Sequence, residues 1–122
     1  MCSGIRLPKT SKADAMRRGE IYRVHRPGDD PKRYRCFVVV SRPEVVDSRF
    51  STVVCAPVFT RGQGLMSQVA VGPGEGLKHE NWIMCDNLAS VRKSELTQFV
   101  GSLSYTRVAE LDEALRIALA LE

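Results

Sequence analysis

Four polar residues end or interrupt apolar runs, and their side chains could act together on a phosphate: Arg35, Thr60, Asp86 and Asn87. A guanidinium is planar and permanently charged, so Arg35 can donate two parallel hydrogen bonds to a phosphate and offset charge that grows in a transition state. The Thr60 hydroxyl could hold a phosphate oxygen beside it. Asp86 could accept a proton, and Asn87 carries a donor and an acceptor that can read a base edge. Each also has a plain structural use: an ion pair for Arg35, a satisfied turn for Thr60, a β-bulge or polar pair for Asp86 and Asn87. His25 and His79 lie in polar stretches where histidine is ordinarily solvated, and Trp82 reads as core packing, with base stacking as the alternative. There is no P-loop, dinucleotide fingerprint, nucleophile elbow or paired-histidine metal motif.

The elements that must hold these residues are read from hydrophobic period. Residues 35–41, Arg-Cys-Phe-Val-Val-Val-Ser, form a near-continuous β-branched run, which predicts a strand buried on both faces with Arg35 at its mouth. Residues 18–24 alternate and predict a first strand, with Ile21 and Tyr22 on opposite faces. The polar stretch 25–33 between them is expected to be a mobile lid. Residues 51–59 predict a third strand ending at Thr60, and Pro57 argues for a bulge or an edge position there. Residues 42–49 read as a turn. Shorter strands follow at 67–71, 82–85, 88–91 and 97–103, with a tight turn at 94–96. From Ser104, a reasonable N-cap, the period becomes helical through Val108, Leu111, Leu115 and Ala118 to the end of the chain. Six or so strands and one helix imply a mainly β protein with a C-terminal α-helix, in which a small curled antiparallel sheet is closed on one side by the helix.

A chain of 122 residues suits one domain, expected here over residues 16–122, with residues 1–15 a flexible N-terminal extension. No run approaches the roughly 18 apolar residues of a membrane span, and no signal-peptide core is visible, so the cytoplasm is expected. Cys2, Cys36, Cys55 and Cys85 show no paired spacing and read as free thiols, and two histidines make a zinc site improbable. Residues 1–62 carry thirteen Lys or Arg against six acids, whereas residues 63–122 carry five against eight. A basic front with an acidic back suits a polyanionic partner, and a solvated basic surface equally.

The order of several short marks resembles the MazF/PemK-type toxins: Met16-Arg17-Arg18-Gly19-Glu20-Ile21-Tyr22, Tyr34-Arg35 before the Cys36 strand, Ala56-Pro57-Val58-Phe59-Thr60, Gly76-Leu77, Cys85-Asp86-Asn87, and Gly101-Ser102-Leu103-Ser104 before the last helix. The resemblance spans residues 16–121. It implies an SH3-like, CcdB/MazF-type barrel that pairs as a homodimer and cuts single-stranded RNA without a metal or other cofactor. In that family the 2′-hydroxyl attacks the adjacent phosphate, leaving a 2′,3′-cyclic phosphate and a 5′-hydroxyl.

Arg35 and Thr60 match catalytic positions of the MazF branch, and Asp86 matches the base of the PemK/Kid branch. His25, Arg33, Arg61 and Asn87 are the RNA-binding residues expected beside them. This chain has Cys36 where the family usually has proline, an extra residue at Phe59, and Met84 where the PemK/Kid branch has arginine. The last change leaves Arg35 to serve as both acid and charge stabiliser. The resemblance also implies an antitoxin whose acidic, disordered tail lies along the basic groove. Two other readings stay open: a CcdB-like toxin that binds DNA gyrase, whose C-terminal tryptophan this chain lacks, and a non-catalytic nucleic-acid- or protein-binding barrel.

Overall fold

The computed structural model describes residues 15–25, Gly28 and residues 33–121. The proposed lid at 25–33 and the extension at 1–15 therefore lie largely outside the described residues. Seven strands form one antiparallel sheet: β1 (Glu20–Val24), β2 (Arg35–Val39), β3 (Thr52–Phe59), β4 (Gln68–Val71), β5 (Asn81–Met84), β6 (Ala89–Arg92) and β7 (Gln98–Ser102). Among the described residues there are two α-helices, a four-residue α1 (Pro43–Val46) between β2 and β3 and the terminal α2 (Tyr105–Leu119). The strand order is β4-β5-β3-β2-β1-β7, and β6 pairs with the far end of β3.

The long apolar runs are explained by two cores, one on each face of the sheet. Ile21, Val38, Val58 and Ile83 pack with Leu111 and Ala114 of α2, while Tyr22, Val39, Val53 and Cys55 pack on the opposite face with Val91 and Leu96. Successive residues of a strand point to opposite faces, so a strand between two cores must be apolar at every position. The expectation of a doubly buried central strand holds for β2, which stops at Val39 rather than residue 41. There the ladder dislocates, because Val40 and Ser41 both donate to the Val54 carbonyl, at 2.9 and 3.2 Å. Residues 42–49 contain α1, which starts with Pro43 at its first turn, where the missing N–H costs nothing.

Pro57 is neither at an edge nor in a bulge of β3. One side of β3 pairs with β2, Phe37 lying opposite Pro57. The other side is shared: residues 52–55 pair with β6, and Val58 and Phe59 pair with β5. Ala56 and Pro57 fall in the gap, where a proline breaks no ladder. Across the gap the partner chain has more residues to accommodate, Met84 to Leu88, and takes them up as a 3-10 turn at Cys85–Asn87. The polar interruption at Asp86-Asn87 is this turn.

Two contacts hold the curl. Arg18 donates from Nε to the Val40 carbonyl at 3.0 Å and from Nη2 to Asp112 of α2 at 2.8 Å, tying the start of β1 to the helix. Buried Glu20 beside it accepts from the Tyr22 hydroxyl at 2.8 Å and from the Arg17 N–H at 2.7 Å. At the open side, the 3-10 turn Pro73–Glu75 after β4 lies on β7, the strand at the other end of the sheet. The fit requires glycine twice: Gly76 has φ +96° with a virtual Cβ only 2.5 Å from the Val100 carbonyl oxygen, and a Cβ at Gly101 would strike the Glu75 carbonyl. Ser104 caps α2 as its position suggests, accepting from the Arg107 N–H at 3.2 Å, and the helix stops at Ala120, whose φ is +57°.

Gly101→Ala should therefore destabilise by about 2 kcal/mol or more, since backbone, not a side chain, would have to move. Gly74→Ala, whose Cβ would meet nothing within 4 Å, is the control. Urea midpoints for the two variants test this; equal midpoints would show that the turn does not close the sheet.

Candidate functional site

Antiparallel pairing brings the end of β1, the start of β2 and the end of β3 to one edge of the sheet. Arg23 lies opposite Cys36, and Cys36 opposite Val58, so the residues beyond these pairs crowd together at that edge. They line a groove of about 1070 Å³, whose far wall is the loop before β5 with Gly76 to His79. Arg23, Arg33, Arg35, Arg61 and Lys78 line it, and among the described residues no Asp or Glu does. Arg35 is exposed, and its guanidinium carbon stands 4.1 Å from the centroid of the Phe59 ring. Stacking on a ring fixes the plane of the fork without using its donors. Phe59, the extra residue in the family comparison, is the platform for Arg35, and Thr60 follows it into the groove, exposed.

Of the residues singled out in the sequence, Arg33, Arg35, Thr60, Arg61 and Asn87 come together in this groove. Asp86 does not line it. Its carboxylate accepts a 2.5 Å hydrogen bond from the hydroxyl of Ser67, a residue only 5% exposed that precedes β4. His25 also lies elsewhere, in a smaller hollow of about 520 Å³ with Ser90, Arg92 and Glu95; Arg35 borders both hollows. The His25 ring tilts against Tyr34, centroids 5.6 Å apart, and its Nδ1 is 3.3 Å from Gln98 Nε2. Trp82 is half-buried and packs against Gly62, where any Cβ would run into the indole ring.

Several groove residues escaped the sequence reading. Arg23 was legible only as one polar position in an alternating strand, and Lys78 and His79 only as solvated charge. Gln63 and Asn81 carry no signal of their own. The loop is braced where His79 stands, since the Asn81 amide donates to the His79 carbonyl at 2.7 Å.

The described cysteines are free thiols. Burial pushes the Cys55 thiol up to about 12, and burial together with the neighbouring Asp86 charge pushes Cys85 up to about 11. Cys36 is 9% exposed and lines the groove; burial raises its pKa while Arg23 and Arg35 act against that rise. Among the described residues no cluster of three or more His, Cys, Asp or Glu could hold a metal ion, and no helix is long and apolar enough to cross a membrane.

Residues 17–119 match the family described as PemK-like, MazF-like toxin of type II toxin–antitoxin system. Endoribonuclease MazF3 of Mycobacterium tuberculosis is 29% identical over 85 residues, covering 70% of this chain and 82% of that protein. Among solved structures, an endoribonuclease in complex with its cognate antitoxin from a mycobacterial species superposes with a TM-score of 0.74 at 25% identity, covering 88% of this chain and 98% of the other. The MazE–MazF structure from Deinococcus radiodurans, at 16% identity and TM-score 0.70 over 88% of this chain and 98% of its own, shares the fold.

The thiols set a pH window. Raised folded-state values mean that the folded chain keeps protons which the unfolded chain releases above the ordinary value of 9.0. Stability should thus be unaffected below pH 9 and fall as pH rises towards 11 and 12. Denaturant titrations from pH 8 to pH 11 test the sign; replacing Cys55 and Cys85 together by alanine should flatten that slope. An unchanged slope would place the alkaline loss in other groups.

Proposed function

The chain belongs to the PemK-like, MazF-like toxins of type II toxin–antitoxin systems, and we propose that it is an endoribonuclease that cuts single-stranded RNA at short sequences. The observation that carries this reading is the groove: among the described residues four further cationic side chains and no acid line it with Arg35 and Thr60. Single-stranded RNA presents phosphates to such a surface and unstacked bases to amides such as Asn87, Gln63 and Asn81.

In the proposed reaction the 2′-oxygen bonds to the adjacent phosphorus and gives its proton to solvent water while the bond from phosphorus to the 5′-oxygen breaks. The departing oxygen takes up a proton. The products are a 2′,3′-cyclic phosphate and a 5′-hydroxyl, with no water consumed. Arg35, held flat on Phe59, donates to the non-bridging oxygens as their charge grows and is assigned the proton donated to the leaving oxygen, regained from solvent. Thr60 holds a phosphate oxygen. Asp86 is occupied by Ser67 away from the groove, which favours the arrangement in which it is not the base. Among the described residues the groove lining holds no carboxylate, a poor donor set for a hard divalent cation, and the proposed reaction is one without a metal.

The same reading includes a cytoplasmic homodimer and an antitoxin with an acidic disordered segment. The uncompensated groove charge supports the second, and a relative captured with its cognate antitoxin accords with it. Exposed Phe50 and Val54 offer apolar surface for a second copy.

Purified chain incubated with a long single-stranded RNA and EDTA should produce discrete cuts with cyclic-phosphate ends. Arg35→Ala should slow cutting by at least about 10²-fold with an unchanged melting temperature. Asp86→Ala should be milder, and a loss as deep as that of Arg35→Ala would return the role of base to Asp86. A folded, partner-free protein that makes no cuts would overturn the reading.

A further inference from the structure

Arg23 is a basic residue that the reaction above does not use. It sits in the next-to-last position of β1, opposite Cys36, and lines the same groove as Arg35. Its guanidinium carbon lies 4.5 Å from the centroid of the Tyr34 ring, so two arginines on neighbouring strands each lie over an aromatic ring, Arg23 over Tyr34 and Arg35 over Phe59. The Cys36 thiol feels the charge of both. Among the described residues neither arginine forms an ion pair, whereas Arg18, Arg107 and Arg116 all do. The Arg23 Nε is buried and, among the described residues, has no hydrogen-bond partner.

An arginine kept for stability normally satisfies a carboxylate or a carbonyl, because a buried unpaired donor is costly. Arg23 has a ring beneath its guanidinium and, among the described residues, a charge left uncompensated, which is the arrangement a bound anion completes. We propose that Arg23 is a second phosphate-binding arginine, holding a backbone phosphate adjacent to the one held by Arg35 and so setting how the RNA strand lies across the groove. Tyr34, 41% exposed, is its platform and keeps the fork from folding back into solvent. This assignment rests on the groove being the RNA site, and it separates two roles. Arg35 acts on the phosphate where charge develops, while Arg23 binds a phosphate whose charge does not change during the reaction. Equal binding of ground and transition states lowers KM and leaves kcat alone.

The test uses the full chain, a short RNA with one mapped cut site, and the same oligonucleotide with a 2′-deoxy residue that removes the attacking hydroxyl. Arg23→Met keeps the aliphatic stem and removes the fork. It should raise KM, and the dissociation constant of the deoxy oligonucleotide, by about tenfold or more, with kcat within about threefold of wild type. The slope of log affinity against log salt should become shallower by about 0.7, the value for one phosphate of a single strand. Arg23→Lys should restore the salt slope, and Tyr34→Leu should weaken binding without adding to Arg23→Met.

If Arg23→Met cuts and binds as wild type does while melting normally, the assignment is wrong and the nuclease reading stands. If wild type binds with a slope that depends on Arg23 yet never cuts, the phosphate contact stands and the nuclease reading falls. Should Arg23→Met prove unfolded, an Arg23→Lys variant with wild-type melting and a lowered slope would equally overturn the proposal. Failure of wild type to bind the oligonucleotide would overturn both.

Discussion

Burial of the sheet on both faces is the constraint from which the rest of the molecule follows. A strand between two cores has no position along its length where a charge can sit without being desolvated, and an unpaired buried charge is not tolerated. The charges carried by β1, β2 and β3 are therefore pushed towards their ends. Arg23 and Arg35 stand at or next to the last positions the ladder allows, and Thr60 and Arg61 lie just beyond it. Because the three strands are antiparallel neighbours, the end of one lies beside the start of the next. Expulsion of charge from two cores thus becomes a concentration of charge along one edge.

That concentration has an energetic consequence. Five cations around one groove repel each other, and solvent and salt screen much of this but not all. The structure contains the repulsion in two ways. Phe59 and Tyr34 fix two guanidinium planes through their ring faces, which are attractive to cations yet leave the donors free. Among the described residues several ion-paired acids lie outside the groove lining: Asp112, Glu110 and Glu113 on α2, and Glu75, which meets Arg107 at 3.7 Å at the closing turn.

The turn at Cys85–Asn87 shows how packing decides chemistry. Pro57 can lie in the middle of β3 only because the partner there leaves the ladder, and the residues that leave it include the polar pair Asp86 and Asn87. As the chain turns through the gap, Asn87 reaches the groove and Asp86 faces Ser67. Two neighbouring polar residues that look equivalent in the sequence are sent to different places by a single 3-10 turn.

How much could be read beforehand follows from the range of each signal. Alternation and β-branched runs are local, and they placed the strands and the helix start at Ser104 to within a few residues. The same runs, ending in Arg35 and Thr60, located two groove residues, since an apolar run between two cores must end where the solvent begins. Strand register, by contrast, is a relation between distant segments: it left Pro57 looking like an edge residue, hid the groove face of Arg23, and gave no hint that the loop before β5 would form the opposite wall. By itself the sequence determined that the chain is a mainly β sheet with a C-terminal helix and basic residues at its strand ends. Which of those ends share an edge, and which way Asp86 and Asn87 turn, was decided only in the folded sheet, because pairing, closure and desolvation act between residues far apart in the chain.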